Sequence, residues 1–165
     1  MPYIAHPMAR LWRRLHRKVR GVSGDTALKQ PSHPDNDPEL WQRSQRELPG
    51  IIKHFGKPDD IIASRTRRVL IYRNDFVIKL PTSAEGVAAT FAEVSAQVRV
   101  RDFGDGVHVA PSILLHEEAA YPVSKMLYVN PLPLTDAIQH KAGIHVDHCQ
   151  LGISPADNKL YVYDP

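Results

Sequence analysis

The sequence predicts an α+β fold in which an antiparallel sheet of about five strands packs on one main helix. Between residues 61 and 80, apolar residues alternate with period two in three short runs, as in half-buried strands. The following twenty residues change to the period of a helix. Most predicted strands are joined by links of hairpin length, and such links permit only antiparallel pairing.

The first helix of this fold is predicted over residues 37–55. Asp37 is a capping residue and Pro38 suits the first turn. We expect Pro49 and Gly50 to break or kink this helix, because proline removes a backbone donor. The residues available for its buried side are Leu40, Trp41, Leu48, Ile51 and Ile52.

Three strands should follow, and then the main helix. The pair Asn74-Asp75 supplies a hairpin turn, since both residues tolerate left-handed backbone conformations. Thr82 or Ser83 can cap the main helix, which runs to about Arg101. The strands are Ile61–Ser64, Arg68–Arg73 and Phe76–Leu80, and the apolar stripe of the helix is Val87, Phe91, Val94 and Val98.

The sequence from residue 107 to residue 163 predicts shorter elements. A helix is expected over residues 135–141, after the proline-rich passage 130–134. The strands are Val107–Val109, Ser112–His116, Val123–Val129, Leu151–Ile153 and Leu160–Tyr163.

Charge and proline content divide the chain into three segments: a basic amphipathic arm (1–24), a proline-rich linker (25–38) and an α+β domain (39–165). The arm is predicted to be helical, with the apolar stripe Met8, Leu11, Trp12, Leu15 and Val19. Its basic residues are Arg10, Arg13, Arg14, Arg17, Lys18 and Arg20, with no acid. Three roles stay open: docking on its own domain or a neighbouring copy, contact with nucleic acid, and contact with an anionic membrane.

Composition indicates one modest domain. The 165 residues are 42% hydrophobic, and no apolar run approaches the roughly 18 residues of a membrane span. Because the arm alone holds the excess of positive charge, the net charge of +3 does not describe the domain. A single Cys149 cannot form an internal disulfide, which fits a cytoplasmic protein.

Five segments and one helical residue together resemble a known family. The residue is Glu93, and the segments are Arg68–Tyr72, Phe76–Pro81, Met126–Leu132, His145–Gly152 and Leu160–Pro165. Their order is similar to the small lobe and catalytic loop of the protein-kinase-like fold. The chain looks most like the short, diverged kinase-like proteins of phages and other mobile elements. The resemblance spans residues 58–165.

The resemblance implies a site for ATP and Mg²⁺. Lys79 would contact phosphate, and Glu93 would pair with Lys79 and hold it extended. Asp164, at the end of a strand, would hold the metal ion, and Asp147 would take the proton of an attacking hydroxyl. Gln150 is one candidate for the position of the metal-binding asparagine.

The sequence also departs from the kinase pattern. The turn at residues 63–67 contains no glycine, where kinases cover the phosphates with a glycine-rich loop. Counted from Asp147, the metal-binding asparagine is replaced by Gly152; if Gln150 is matched instead, the catalytic position falls on His145. These losses favour a degenerate kinase-like domain that binds a protein partner. The alternatives are a minimal kinase using ATP and Mg²⁺, and a small nucleic-acid-binding protein using the arm.

A second group of residues contains zinc-ligand types: His140, His145, Asp147, His148 and Cys149. Their spacing matches no standard zinc site, and Cys149 suits a small buried apolar position. Metal binding here is therefore a minor hypothesis.

Overall fold

A computed structural model describes residues 33–99, 107–132 and 150–164. Two helices and nine strands are present in these ranges. In chain order they are α1 (Pro38–Phe55), β1 (Asp60–Ala63), β2 (Arg67–Tyr72), β3 (Phe76–Pro81), α2 (Ala84–Arg99), β4 (Val107–Val109), β5 (Ser112–His116), β6 (Val123–Leu127), β7 (Asn130–Pro131), β8 (Gln150–Ile153) and β9 (Leu160–Asp164). The predicted arm, most of the linker, the helix at 135–141 and the zinc-type cluster lie outside the described residues.

The predicted α+β architecture is confirmed. The main sheet has five antiparallel strands in the order β1-β2-β3-β6-β5. Tyr72 pairs with Phe76 across the predicted hairpin, and Asn74 takes the left-handed conformation, with φ 69°. The strand pattern thus folds as the alternation of apolar residues indicates.

Helix α1 begins at its predicted cap. The Asp37 side chain accepts hydrogen bonds from the backbone N–H groups of Glu39 and Leu40. Pro49 does not break α1, which continues through it to Phe55, and the other expectation, a kink at Pro49, stays a prediction. Pro49 is exposed, so its ring lies on the solvent side of the helix.

One face of the main sheet packs on α1. Leu48 is fully buried, and Ile51 and Phe55 pack beside it. Their partners in the sheet include Leu70 and Ile78, which are also fully buried. This apolar layer fixes α1 across the strands and forms the first of two core clusters.

Helix α2 packs on the opposite face, but it turns different residues to the sheet than its apolar stripe indicates. The buried positions are Gly86, Thr90 and Glu93, spaced as one face of a helix, whereas Val87 and Phe91 are only half-buried. The reason is the close approach of the helix to the β1–β2 turn and the ion pairs made by Glu93, both described below.

A second, smaller sheet was not predicted. Its four strands have the order β4-β9-β8-β7, with β8 and β9 forming the expected hairpin and β4 running parallel to β9. Residues of both sheets meet in the second core cluster. That cluster consists of Ile71, Val77, Ala110, Met126, Val129 and Tyr161.

In the three ranges that the structure describes, no helix combines the length and apolar character needed to cross a bilayer.

Candidate functional site

The predicted contact between Lys79 and Glu93 is present. The Lys79 Nζ lies 2.9 Å from both Glu93 Oε1 and Oε2. Strand β3 presents Lys79 on the face that α2 covers, and Glu93 reaches it from the third turn of α2. The two side chains are only 6% and 3% exposed, so the pair is enclosed by protein.

Sequence reasoning missed a third member of this group, Arg67. Its Nη1 donates to Glu93 Oε1, and its side chain is 10% exposed. The available signal was the hairpin register: because Val69 pairs with Lys79, Arg67 must share the face of Lys79 two residues away. One buried carboxylate therefore pairs with two cations.

The turn between β1 and β2 is fixed in place by hydrogen bonds. The Thr82 N–H donates to the Thr66 carbonyl at 2.8 Å, and the Asn36 side-chain amide donates to the Arg65 carbonyl at 2.6 Å. The Arg65 guanidinium also pairs with Glu85 in the first turn of α2, at 2.7 Å. Three separate segments thus hold this turn.

Gly86 allows the turn to touch α2. A Cβ atom built on Gly86 would lie 2.0 Å from the Thr66 carbonyl oxygen and 3.1 Å from the Arg67 Cγ. The nearest obstacle is backbone, which cannot move aside as the end of a flexible side chain can. The chain therefore needs glycine at this point of the helix, while the turn itself has none.

The hairpin β8–β9 brings two further predicted site residues together at the level of the backbone. Gln150 and Asp164 are register partners at the open end of this hairpin. Asp147, the predicted proton acceptor, lies outside the described residues. Within the described ranges, no three His, Cys, Asp or Glu side chains group as a metal site.

Gly152 occupies a crowded position in β8. A Cβ atom there would lie 2.7 Å from the Asn130 carbonyl oxygen and 2.9 Å from a methyl group of Val129. Strand β7 pairs directly with this part of β8. A side chain at residue 152 would consequently force these two strands apart.

A third buried cation, Arg68, lies on the opposite face of the main sheet, and sequence reasoning did not single it out. Its guanidinium lies 4.1 Å from the centre of the Trp41 ring and is fully buried. None of its three nitrogens has a hydrogen-bond acceptor within the described part of the chain. Burial lowers the pKa of Arg68 to about 10 and raises the pKa of the neighbouring Tyr121 hydroxyl.

Comparison of the chain with models of protein families, with curated proteins and with solved structures gives no match.

Proposed function

We propose that this chain is a degenerate kinase-like domain that acts in the cytoplasm by binding a protein partner and has impaired nucleotide handling. The kinase-like part of the proposal is supported by the order of the elements: three strands, a helix and further strands, followed by a hairpin that ends in Asp164. It is also supported by the Lys79–Glu93 contact, the pair that the resemblance implies.

The observation that carries the degenerate assignment is the fixed β1–β2 turn. In a kinase, the corresponding glycine-rich loop lies over the phosphates, and its backbone must approach them closely. Here the turn bears side chains and is held by Asn36, Thr82 and the first turn of α2. To cover a nucleotide, it would have to break these contacts.

The catalytic-loop hairpin supports the same assignment. Residue 152 is the position of the metal-binding asparagine when it is counted from Asp147. The Asn130 carbonyl leaves no room there for any side chain. Asparagine at residue 152 would therefore require β7 to move, so the packing of β7 against β8 excludes the metal-binding asparagine at this position.

The unpaired edge of β5 is the surface that supports binding of a protein partner. This strand is the last of the main sheet, and no other described strand pairs with its outer side. Open edges pair readily with an added strand, and this one has no charged residue or proline within Ser112–Leu115. Strand addition at β5 is the binding mode that we propose.

The second candidate is a minimal kinase, and the Lys79–Glu93 pair favours it because this pair places a lysine for phosphate contact in active kinases. In that case Asp164 and Gln150 would hold Mg²⁺, and Asp147 would be the base. Arg67 opposes this candidate, since it competes with Lys79 for the same carboxylate.

Thermal unfolding with millimolar ATP and Mg²⁺ separates the two candidates. A ligand that binds only the folded chain stabilises it by about 2.7 kcal/mol at a hundredfold excess over Kd. The degenerate domain should show no shift. A shift that is lost in Lys79→Met, and whose dependence on Mg²⁺ is lost in Asp164→Asn, would establish the minimal kinase instead. Lys125→Met is the matched control, because Lys125 lies on the other face, 4.0 Å from the centre of the Phe76 ring.

A further inference from the structure

The face of the main sheet that carries α1 is wider than this helix. Five strands at about 4.8 Å spacing make a sheet roughly 20 Å wide, whereas a helix with its side chains is about 10 Å across. Helix α1 packs on strands β1 to β3 and on Val123 of β6, in the first core cluster. The remaining width lies toward β5 at the edge of the sheet and has room for one more helix beside α1.

A groove marks this uncovered strip. Its volume is about 310 Å³, and it runs between the second half of α1 and the strands β5 and β6. Ile51 and Phe55 line it from α1, and Leu115 and Val123 line it from the sheet, with Glu47 among the polar residues. The lining is thus mainly apolar, with one carboxylate and the imidazoles of His54 and His116 as its polar groups.

The exposed apolar side chains of the described residues are concentrated at the same place. Ile113 and Leu115 are 59% and 38% exposed, and they are the large apolar residues that the described surface leaves in water. Both belong to β5. Two such residues beside an apolar groove indicate a surface that is covered by another element.

We propose that the N-terminal arm covers this surface, with residues 8–19 lying as a helix beside α1. The arm carries a stripe that matches an apolar groove: Met8, Leu11, Trp12, Leu15 and Val19. Docking removes this stripe and the exposed side chains of β5 from water at the same time. It also completes a layer of two helices on the sheet.

The length of the chain permits this placement. Thirteen residues, 20–32, separate the proposed helix (8–19) from the first described residue, His33, and they span up to roughly 40 Å when extended. Helix α1 has 18 residues and is therefore about 27 Å long. Because Asn36 is fixed at the β1–β2 turn near the start of α1, the linker can reach any point along that helix.

Charge is compatible with the same occupant. The arm holds six basic residues and no acid. Glu47 lines the groove and shares the Arg43 guanidinium with Glu118. One negative charge is left over for the arm, while Lys125 is held on the Phe76 ring. Apolar contacts stabilise the docked arm, and the charges determine its orientation.

This inference concerns the face of β5 and goes beyond the proposed function, which concerns the edge of β5 and the nucleotide site. Failure of one leaves the other standing, because ATP-dependent stability does not report on the arm.

Amide hydrogen exchange on the full chain tests the proposal. An isolated helix of 12 residues is marginal in water, so slow exchange in residues 11–19 requires docking. We expect at least about tenfold slower exchange there than in a free peptide of residues 1–24. The double variant Ile113→Ser/Leu115→Ser should lose this protection. Ala119→Ser, a change to serine at an exposed loop position, should keep it.

Several outcomes would overturn the proposal. One is fast exchange of residues 11–19 in the full chain, and another is protection that survives the double variant. Protection that rises with protein concentration would assign the groove to the arm of a neighbouring copy. Protection that appears only with phosphatidylserine vesicles or with duplex DNA would assign the arm to those partners. Slow exchange of Leu70 and Ile78 amides verifies that each variant is folded.

Discussion

The substitution Glu93→Gln tests the buried ion-pair group most directly. It keeps the shape of the side chain but removes the negative charge with which Lys79 and Arg67 pair. Removing one partner of a buried pair costs about 3–5 kcal/mol. Because this change breaks two buried pairs at once, we expect a loss at the upper end of that range.

Glu85→Gln is the matched control for this change. Glu85 lies on the same helix and pairs with Arg65, but the two side chains are 62% and 56% exposed. An exposed pair contributes about 0–1 kcal/mol, so the control should stay near the wild type. Equilibrium unfolding in urea, with the slope compared among variants, gives both values.

The coupling between Glu93 and Lys79 can be measured in the same way. Lys79→Met removes one of the two cations that pair with Glu93, so Glu93→Gln should cost less in that background than alone. A loss below about 1 kcal/mol for Glu93→Gln would contradict this expectation, since the buried pairs would then contribute no more than exposed pairs do.

Three further predictions concern the β1–β2 turn, the buried Arg68 side chain and stability in acid. Gly86→Ala should lower the free energy of unfolding by about 1–3 kcal/mol, because the added Cβ would overlap the β1–β2 turn. Gly50→Ala should raise it by up to about 1 kcal/mol, because nothing lies within 4 Å of the added Cβ and alanine favours the helix. Unfolding in urea measures both changes. Arg68→Met should leave the free energy of unfolding unchanged or raise it. The pKa of Arg68, lowered from 12.5 to about 10, corresponds to a cost of burying the charge on the order of 3 kcal/mol. A loss of stability above about 1 kcal/mol in this variant would contradict the prediction. The hydrogen bonds from Arg43, then from His116, lower the pKa of Glu118 from 4.5 to about 2. A lowered carboxyl pKa stabilises the fold above pH 4.5, and this contribution disappears as the pH falls toward 2. The difference in stability between wild type and Arg43→Gln should therefore shrink over that interval in acid titrations, and a constant difference would contradict it.

Local patterns account for what could be predicted from the sequence. The alternation in β2 and β3, the Asn74-Asp75 turn and the Asp37 cap each depend on neighbouring residues. The Lys79–Glu93 contact could be predicted because one strand and one adjacent helix present both groups.

Contacts between distant segments account for what was missed. The parallel pairing of β4 with β9 joins residues more than fifty positions apart, and no local pattern encodes it. The face that α2 buries is set by Gly86 against the β1–β2 turn and by the charge of Glu93, which outweigh the apolar stripe through Phe91. Apolar periodicity cannot register either effect, because one is a missing side chain and the other is a charge.

The exchange rate of the Thr82 amide, with and without ATP and Mg²⁺, shows whether the β1–β2 turn is fixed or opens to cover a nucleotide. This N–H donates to the Thr66 carbonyl, so it exchanges only when the β1–β2 turn leaves its position. A fixed turn predicts slow exchange that nucleotide does not change. Fast exchange in the free chain, followed by strong protection when ATP and Mg²⁺ are added, would mean that the turn is a phosphate-covering loop and that the chain is a working nucleotide-binding domain.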